Sequence, residues 1–258
     1  MPDTIDLGSL VRGTAGNILE LPEPELERQL AQATLHHHRA TLERIVRAAK
    51  SLRDPEHAAQ VCAEHTAPLL RGAAAVLPRM EQLVTSRESP PLVRLVLLAT
   101  VIYAAAPEDL VPDSLGAEGF VDDAIFVHRL VATFPPELCG HLGVEPIHDD
   151  YLMLLQLAVD PAVIPALRLR LQAVALQLLN AEMAIQFIGP WGTHLLVDTF
   201  LQPANLAQFF AYAGDRRTEM PQKLPAGRDP TKTWSTAIHS FPDGGGFSQT
   251  ESGWFIWD

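Results

Sequence analysis

Six carboxylates crowd into one short stretch of the chain. Glu108, Asp109, Asp113, Glu118, Asp122 and Asp123 fall within sixteen residues, and no Lys or Arg occurs between Arg94 and Arg129. Acids this close repel one another unless solvent, protons, backbone amides or a cation offset the charge. Two kinds of chemistry fit the pattern. In one, Asp109, Asp113, Asp122 and Asp123 converge on a hard divalent ion, Mg²⁺ or Ca²⁺, which takes oxygen ligands, and the ion supports hydrolysis with His128 as an acid/base group. In the other, Asp109 and Asp113 accept hydrogen bonds from turn amides while Asp122 and Asp123 sit on the positive end of a following helix. The EF-hand spacing is absent, so a metal site here is irregular. His128 lies five residues past Asp123, off its helix face, which weakens its part.

The ten histidines invite a metal reading that their spacing does not sustain. His36, His37 and His38 are consecutive on an expected helix, where neighbours point about 100° apart, so a solvated or half-buried face is expected. His57 and His65 lack the i, i+4 spacing of helical zinc sites. Glu145 and His148 make a single Glu-x-x-His, short of the di-iron pattern, with Pro146 inside it. His194 and Asp198 do stand at i, i+4; they fit co-ligands or an acid/base pair, and a surface hydrogen bond explains them better. No G-x-S-x-G elbow or C-x-x-C is present, and Cys139-Gly140-His141 is an adjacency with no mechanism behind it.

The elements that must position these groups are helical. Apolar residues recur at helical spacing from about Glu23 to Leu52, with prolines and acids at the start. Asp54 followed by Pro55 predicts a cap and first position for the next helix, which Pro68 and Pro78 are expected to bend or divide. A buried helix over Leu95 to Ala106 follows, then an Asp/Pro/Gly loop and a helix from about Gly119 to Thr133. Asp149 to Asp160, Pro165 to Ile185 and parts of 192–213 carry helical patterns as well, with Gly189-Pro190 as a break. Residues 1–22 show little periodicity. No alternating strand pattern of useful length occurs before residue 214.

The order Tyr103, Pro107, Asp109-Leu110-Val111-Pro112-Asp113, Gly119-Phe120-Val121-Asp122-Asp123 resembles the signature of the YkvA-like proteins, the family of unknown function numbered 1232. The resemblance covers about residues 93–130. Glu108 stands where that family usually has an aliphatic residue, and Gly116 where it often has proline. What the resemblance implies is a helix, a compact loop and a second helix starting at the paired aspartates, in soluble and membrane-attached bacterial proteins alike. It implies no established reaction.

Composition excludes several classes. A formal charge of -12 disfavours a grip on nucleic acid or anionic lipid, and the longest apolar run, about a dozen residues, is too short to span a membrane. Two cysteines, Cys62 and Cys139, and an acidic N-terminus without a signal-type apolar run point to the cytoplasm. From Gly214 the chain turns rich in Gly, Pro, Asp, Ser and Thr, yet holds Trp234, Trp254 and Trp257; Gly244-Gly245-Gly246 is expected to be a flexible joint. The closing run containing Trp254, Phe255 and Trp257 must dock, on its own domain, on a partner protein or on a second copy. The expectation is an all-α protein, an irregular multi-helix bundle over 23–213 that contains the motif at 93–130, with an N-terminal extension (1–22) and an extended Gly/Pro-rich, aromatic C-terminal tail (214–258). Its expected role is non-catalytic, an interaction or scaffold protein; the alternative is a metal-dependent, hydrolase-like enzyme built on the aspartate cluster.

Overall fold

The computed structural model describes residues 6–49, 51–106, 110–132, 134, 136–147, 149–167, 188–208, 238–240, 246–250 and 253–257; for Asp113, for 149–152 and for the residues from 238 on, it is the backbone that is described. The fold is all-α. Its helices are α1 (Leu7–Leu19), α2 (Glu23–Ala48), α3 (Pro55–Thr85), α4 (Pro91–Ala104), α5 (Val121–Val131), α6 (Pro136–Leu142) and α7 (Asp149–Gln156), with helical residues also at 188–200 and 203–208. Two short 3-10 turns, Asp113–Leu115 and Glu118–Phe120, lead into α5. In the tail, β1 (Ile238–Ser240), β2 (Gly246–Thr250) and β3 (Gly253–Trp257) pair antiparallel in that order. Gly246, expected in a joint, opens β2.

The long α3 organises the rest: α1, α2, α4, α5, α6 and α7 all pack against it. Its start is the one the sequence announces, since Asp54 caps it by accepting from the His57 amide at 2.7 Å and Pro55 occupies the first turn. Pro68 and Pro78 do not divide it; α3 runs unbroken for 31 residues. Each proline costs a helix about 3 kcal/mol in isolation. Thirteen buried α3 residues, Leu70, Leu77 and Met80 among them, supply the packing that offsets that cost.

The break falls instead in α2, where His38 has non-helical backbone angles (φ -127°, ψ 22°). Beyond it, Leu42 and Ile45 close on Ala58 and Ala59 of α3 as a small core of their own. The main core joins Leu26 and Leu30 to the inner faces of α1, α3, α4 and α5. α1 lies inside the segment read as an extension, and its Leu7, Val11, Ala15 and Ile18 are buried in that main core. Gly8, Gly13 and Gly16 dilute its apolar pattern and lower its helix propensity, so the packing face is faint in the sequence.

At the centre stands α5. Ten of its eleven residues, all but Arg129, are buried. Neighbours on several sides, α3, α4 and α7, account for a helix with no wet face.

Candidate functional site

The carboxylate-rich segment connects α4 to α5, two helices of the core. α4 ends at Ala104, and Tyr103 near its end stacks on Phe126 of α5, ring centroids 3.9 Å apart and planes 11° from parallel. The Tyr103 hydroxyl donates to Asp122 Oδ2 at 3.2 Å. Asp122 and Asp123 occupy the first turn of α5 and are both fully buried. The preceding residue, Phe120, offers no side-chain cap, so these carboxylates are the negative charge that meets the positive end of α5.

The loop is held from α2 at two levels. Gln29 Oε1 accepts from the Ala117 amide at 3.0 Å, and its amide group donates to Glu25 at 2.8 Å. Two turns along α2, His37 Nε2 meets Glu118 Oε1 at 2.7 Å. Gly116 sits between, with φ +71°, and a Cβ there would come within 2.8 Å of Gln29 Oε1. This explains the absence of proline at that position, because proline is confined to φ near -65°.

Of the four aspartates expected in a metal cluster, Asp122 and Asp123 are consecutive in the first turn of α5 and both buried. Asp113 opens a 3-10 turn, with its backbone alone described, and Asp109, like Glu108, lies outside the described residues. Among the described residues no group of three or more His, Cys, Asp or Glu side chains is arranged to hold a metal ion. Trp254, Phe255 and Trp257 belong to β3, whose side chains lie outside the description.

His128 turns away from the aspartates and toward α3, where its Nε2 donates to the Leu69 carbonyl at 2.9 Å. Burial pushes its pKa below the ordinary 6.5, which keeps the ring neutral. The ring helps line an apolar groove of about 350 Å³ with Gly72, Val76 and Val131.

Two histidines of α2 also hold the fold. His38, at the break in α2, bonds through Nε2 to the Val159 carbonyl at 3.0 Å, and burial lowers its pKa too. With His37 on Glu118, two members of the histidine triplet fasten α2 to separate parts of the molecule.

His194 and Asp198 do act together, but through Arg94. Arg94 is completely buried; its Nε donates to the Val84 carbonyl (2.7 Å), and its two terminal nitrogens reach His194 Nδ1 (2.8 Å) and Asp198 Oδ1 (2.6 Å). Arg87 approaches Asp198 Oδ2 at 2.7 Å. The Arg94 hydrogen bond, helped by Arg87, holds the Asp198 carboxyl below its usual range. One guanidinium thus serves a carbonyl in the last turn of α3 and ties the helix at 188–200 to α4. The signal for it was legible: Arg94 is the lone charge in PLVRLVLLATVIYA, and a charge inside an apolar helix needs a buried partner.

Neither cysteine is placed for chemistry. Cys62 and Cys139 are free and buried, and burial pushes the Cys62 thiol up to about 12.

Residues 93–128 match the family model described as "Protein of unknown function (DUF1232)", in agreement with the YkvA-like resemblance over this segment. The match runs from the start of α4 through the loop to His128 in α5. No curated protein and no solved structure matches the chain.

Proposed function

We propose that this protein is a non-catalytic interaction or scaffold protein, in which the helical domain presents binding surfaces and the family motif is a staple within the core. The observation that carries this reading is the outer face of the helix at 188–200. Ile188, Trp191, Leu195 and Leu196 are all exposed there, Trp191 by 77%. On a 3.6-residue period they share one arc with Gly192 and Thr199, an arc without a charge. A contiguous apolar arc in water is a surface suited to a partner. The C-terminal Trp254, Phe255 and Trp257 form a second proposed contact, with a partner protein or with another copy of the chain.

The supporting chemistry is the use to which the polar groups are put: His37, His38, His128, His194 and Asp198 each bond to a residue of another element. The test is the solution mass of the full chain and of Trp191→Asp, alone and with residues 250–258 removed, by light scattering on a sizing column. Association of the native chain that weakens in either variant, with unchanged far-ultraviolet circular dichroism, supports the reading. A native chain that stays monomeric at high concentration removes self-association from it.

The second reading, a metal-dependent enzyme, is favoured by one observation: Asp122 and Asp123 are adjacent carboxylates, each with no solvent exposure. Thermal unfolding in EDTA and then with Mg²⁺, Ca²⁺, Mn²⁺ or Zn²⁺ decides it, because an ion bound by the folded state raises its stability. An ion-specific rise that Asp123→Asn abolishes would displace the scaffold reading.

A further inference from the structure

The helix at 188–200 is fastened to α4 by the polar groups of its inner side. Thr193 and Val197 face inward with no exposed surface, and His194 and Asp198 follow each of them on the same side to meet Arg94. Arg94 Nη1 lies 2.8 Å from His194 Nδ1, and Nη2 donates to Asp198 Oδ1 at 2.6 Å. A guanidinium has five donors and no acceptor, and it stays charged throughout the range in which histidine titrates. His194 Nδ1 must therefore accept. That fixes the ring as the neutral tautomer with its hydrogen on Nε2.

A proton on Nδ1 reverses this contact. The lone pair that receives the Arg94 hydrogen bond is gone, and two cations stand where a donor met an acceptor. The charged and titratable groups of the cluster are Arg94 from α4, Arg87 from the turn between α3 and α4, and His194 and Asp198 from the helix itself. With His194 protonated they carry three positive charges against one negative. Asp198 cannot offset the new charge without giving up a partner, since Arg94 holds its Oδ1 and Arg87 its Oδ2. Nor can Arg94 swing away, because its side chain is completely buried and its Nε is held by the Val84 carbonyl at 2.7 Å. The group with room to move is the half-buried His194, and with it the helix that carries it.

We infer that His194 is an acid-sensitive latch: neutral, it docks the helix at 188–200 on Arg94, and protonated, it releases that helix from α4 while the packing around α3 persists. Docking holds at neutral pH and is lost on acidification, because the docked geometry has no place for a second ring proton. Release uncovers Val197, which is buried in the main core when the helix is docked. The latch acts on the helix whatever its exposed arc binds, so it does not depend on the scaffold reading.

The experiment is amide hydrogen exchange of the full chain at pH 7.5 and pH 5.0, corrected for intrinsic rates, with His194→Gln as the matched variant. The glutamine oxygen accepts from Arg94 and does not titrate. On acidification of the native chain, protection over residues 191–200 is expected to fall about tenfold more than protection at Leu70 and Leu77 in α3. In His194→Gln the two regions are expected to change together. Both chains keep His38 and His128, so the acid sensitivity of those residues cancels in the comparison. A second measurement needs no variant: nitrogen-15 NMR of the His194 ring should show Nδ1 without a proton at pH 7.5 and protonated over the range in which the helix loses protection. The proposal is overturned if residues 191–200 lose no more protection than α3, if His194→Gln responds as the native chain does, or if Nδ1 carries a proton while the helix is still docked.

Discussion

Arg94 shows how much one side chain carries. Buried with no exposed surface, it satisfies the Val84 carbonyl and binds His194 and Asp198, 100 and 104 residues further along the chain. Arg94→Met keeps much of the volume and removes every one of these bonds. It should cost on the order of 3 kcal/mol, because the buried Val84 carbonyl loses its donor and Asp198 keeps only the exposed Arg87; urea unfolding measures it. A cost below about 1 kcal/mol would mean that the clamp is ornamental. Asp198 carries a pH signature. Its folded pKa is depressed, chiefly by Arg94, so its contribution is present above the unfolded value of 3.8 and is lost as pH falls through the lower, folded value. Asp198→Asn should therefore be less stable than the native chain at neutral pH, and the gap should narrow below pH 3.8. His38 and His128 act in a higher window. Both are lowered from 6.5, so the unfolded chain takes up protons first and stability falls as pH drops below 6.5. Melting temperature between pH 7.5 and 5.5 should decline in the native chain and decline less in His128→Gln, whose amide can still donate to Leu69.

Among the elements, the loop before α5 depends on a glycine and a glutamine facing it. At Gly116 the backbone is left-handed (φ +71°) and a Cβ would press on Gln29 Oε1. Gly116→Ala should cost about 1–2 kcal/mol, and Gly116→Pro more, because proline cannot take that φ at all. Gln29→Ala leaves the Ala117 amide, on a fully buried residue, without its acceptor and should cost about 1–3 kcal/mol. Chemical denaturation of the three variants tests whether the loop is built as described; equal stability of Gly116→Pro and the native chain would contradict it. A recurring device appears at this scale, the basic or imidazole side chain set on a backbone carbonyl. Arg71 reaches the Leu19 carbonyl at the end of α1 and the Leu21 carbonyl just beyond it, Arg79 the Leu142 carbonyl at the end of α6, and His38 the Val159 carbonyl after α7. Helix ends leave such carbonyls without internal donors, and a cation there also meets the negative end of the helix.

Across the whole molecule, α1 is the element whose removal is most informative. Deleting residues 1–19 uncovers the α3 and α4 surface against which Leu7, Val11, Ala15 and Ile18 pack. The shortened chain should bind a hydrophobic dye and lose its sharp thermal transition, whereas a dispensable extension would leave both unchanged. No helix among the described residues is long and apolar enough to cross a membrane, which accords with the length of the Leu95–Ala106 run. The helical class, the Asp54-Pro55 start of α3, the central apolar helices and the family segment were legible in the sequence, because periodicity, caps and a spaced motif are local properties. The unbroken course of α3 through Pro68 and Pro78, the break at His38 and the place of α1 in the core were decided by packing, which no local preference encodes. The same holds at the candidate site. Sequence marked the carboxylates by their crowding, but it could not say that Glu118 belongs to His37, 81 residues away, that Tyr103 reaches Asp122, or that Arg94 joins His194 to Asp198. Those partners meet only when the helices pack, since burial makes each lone polar group costly and folding brings the group that satisfies it.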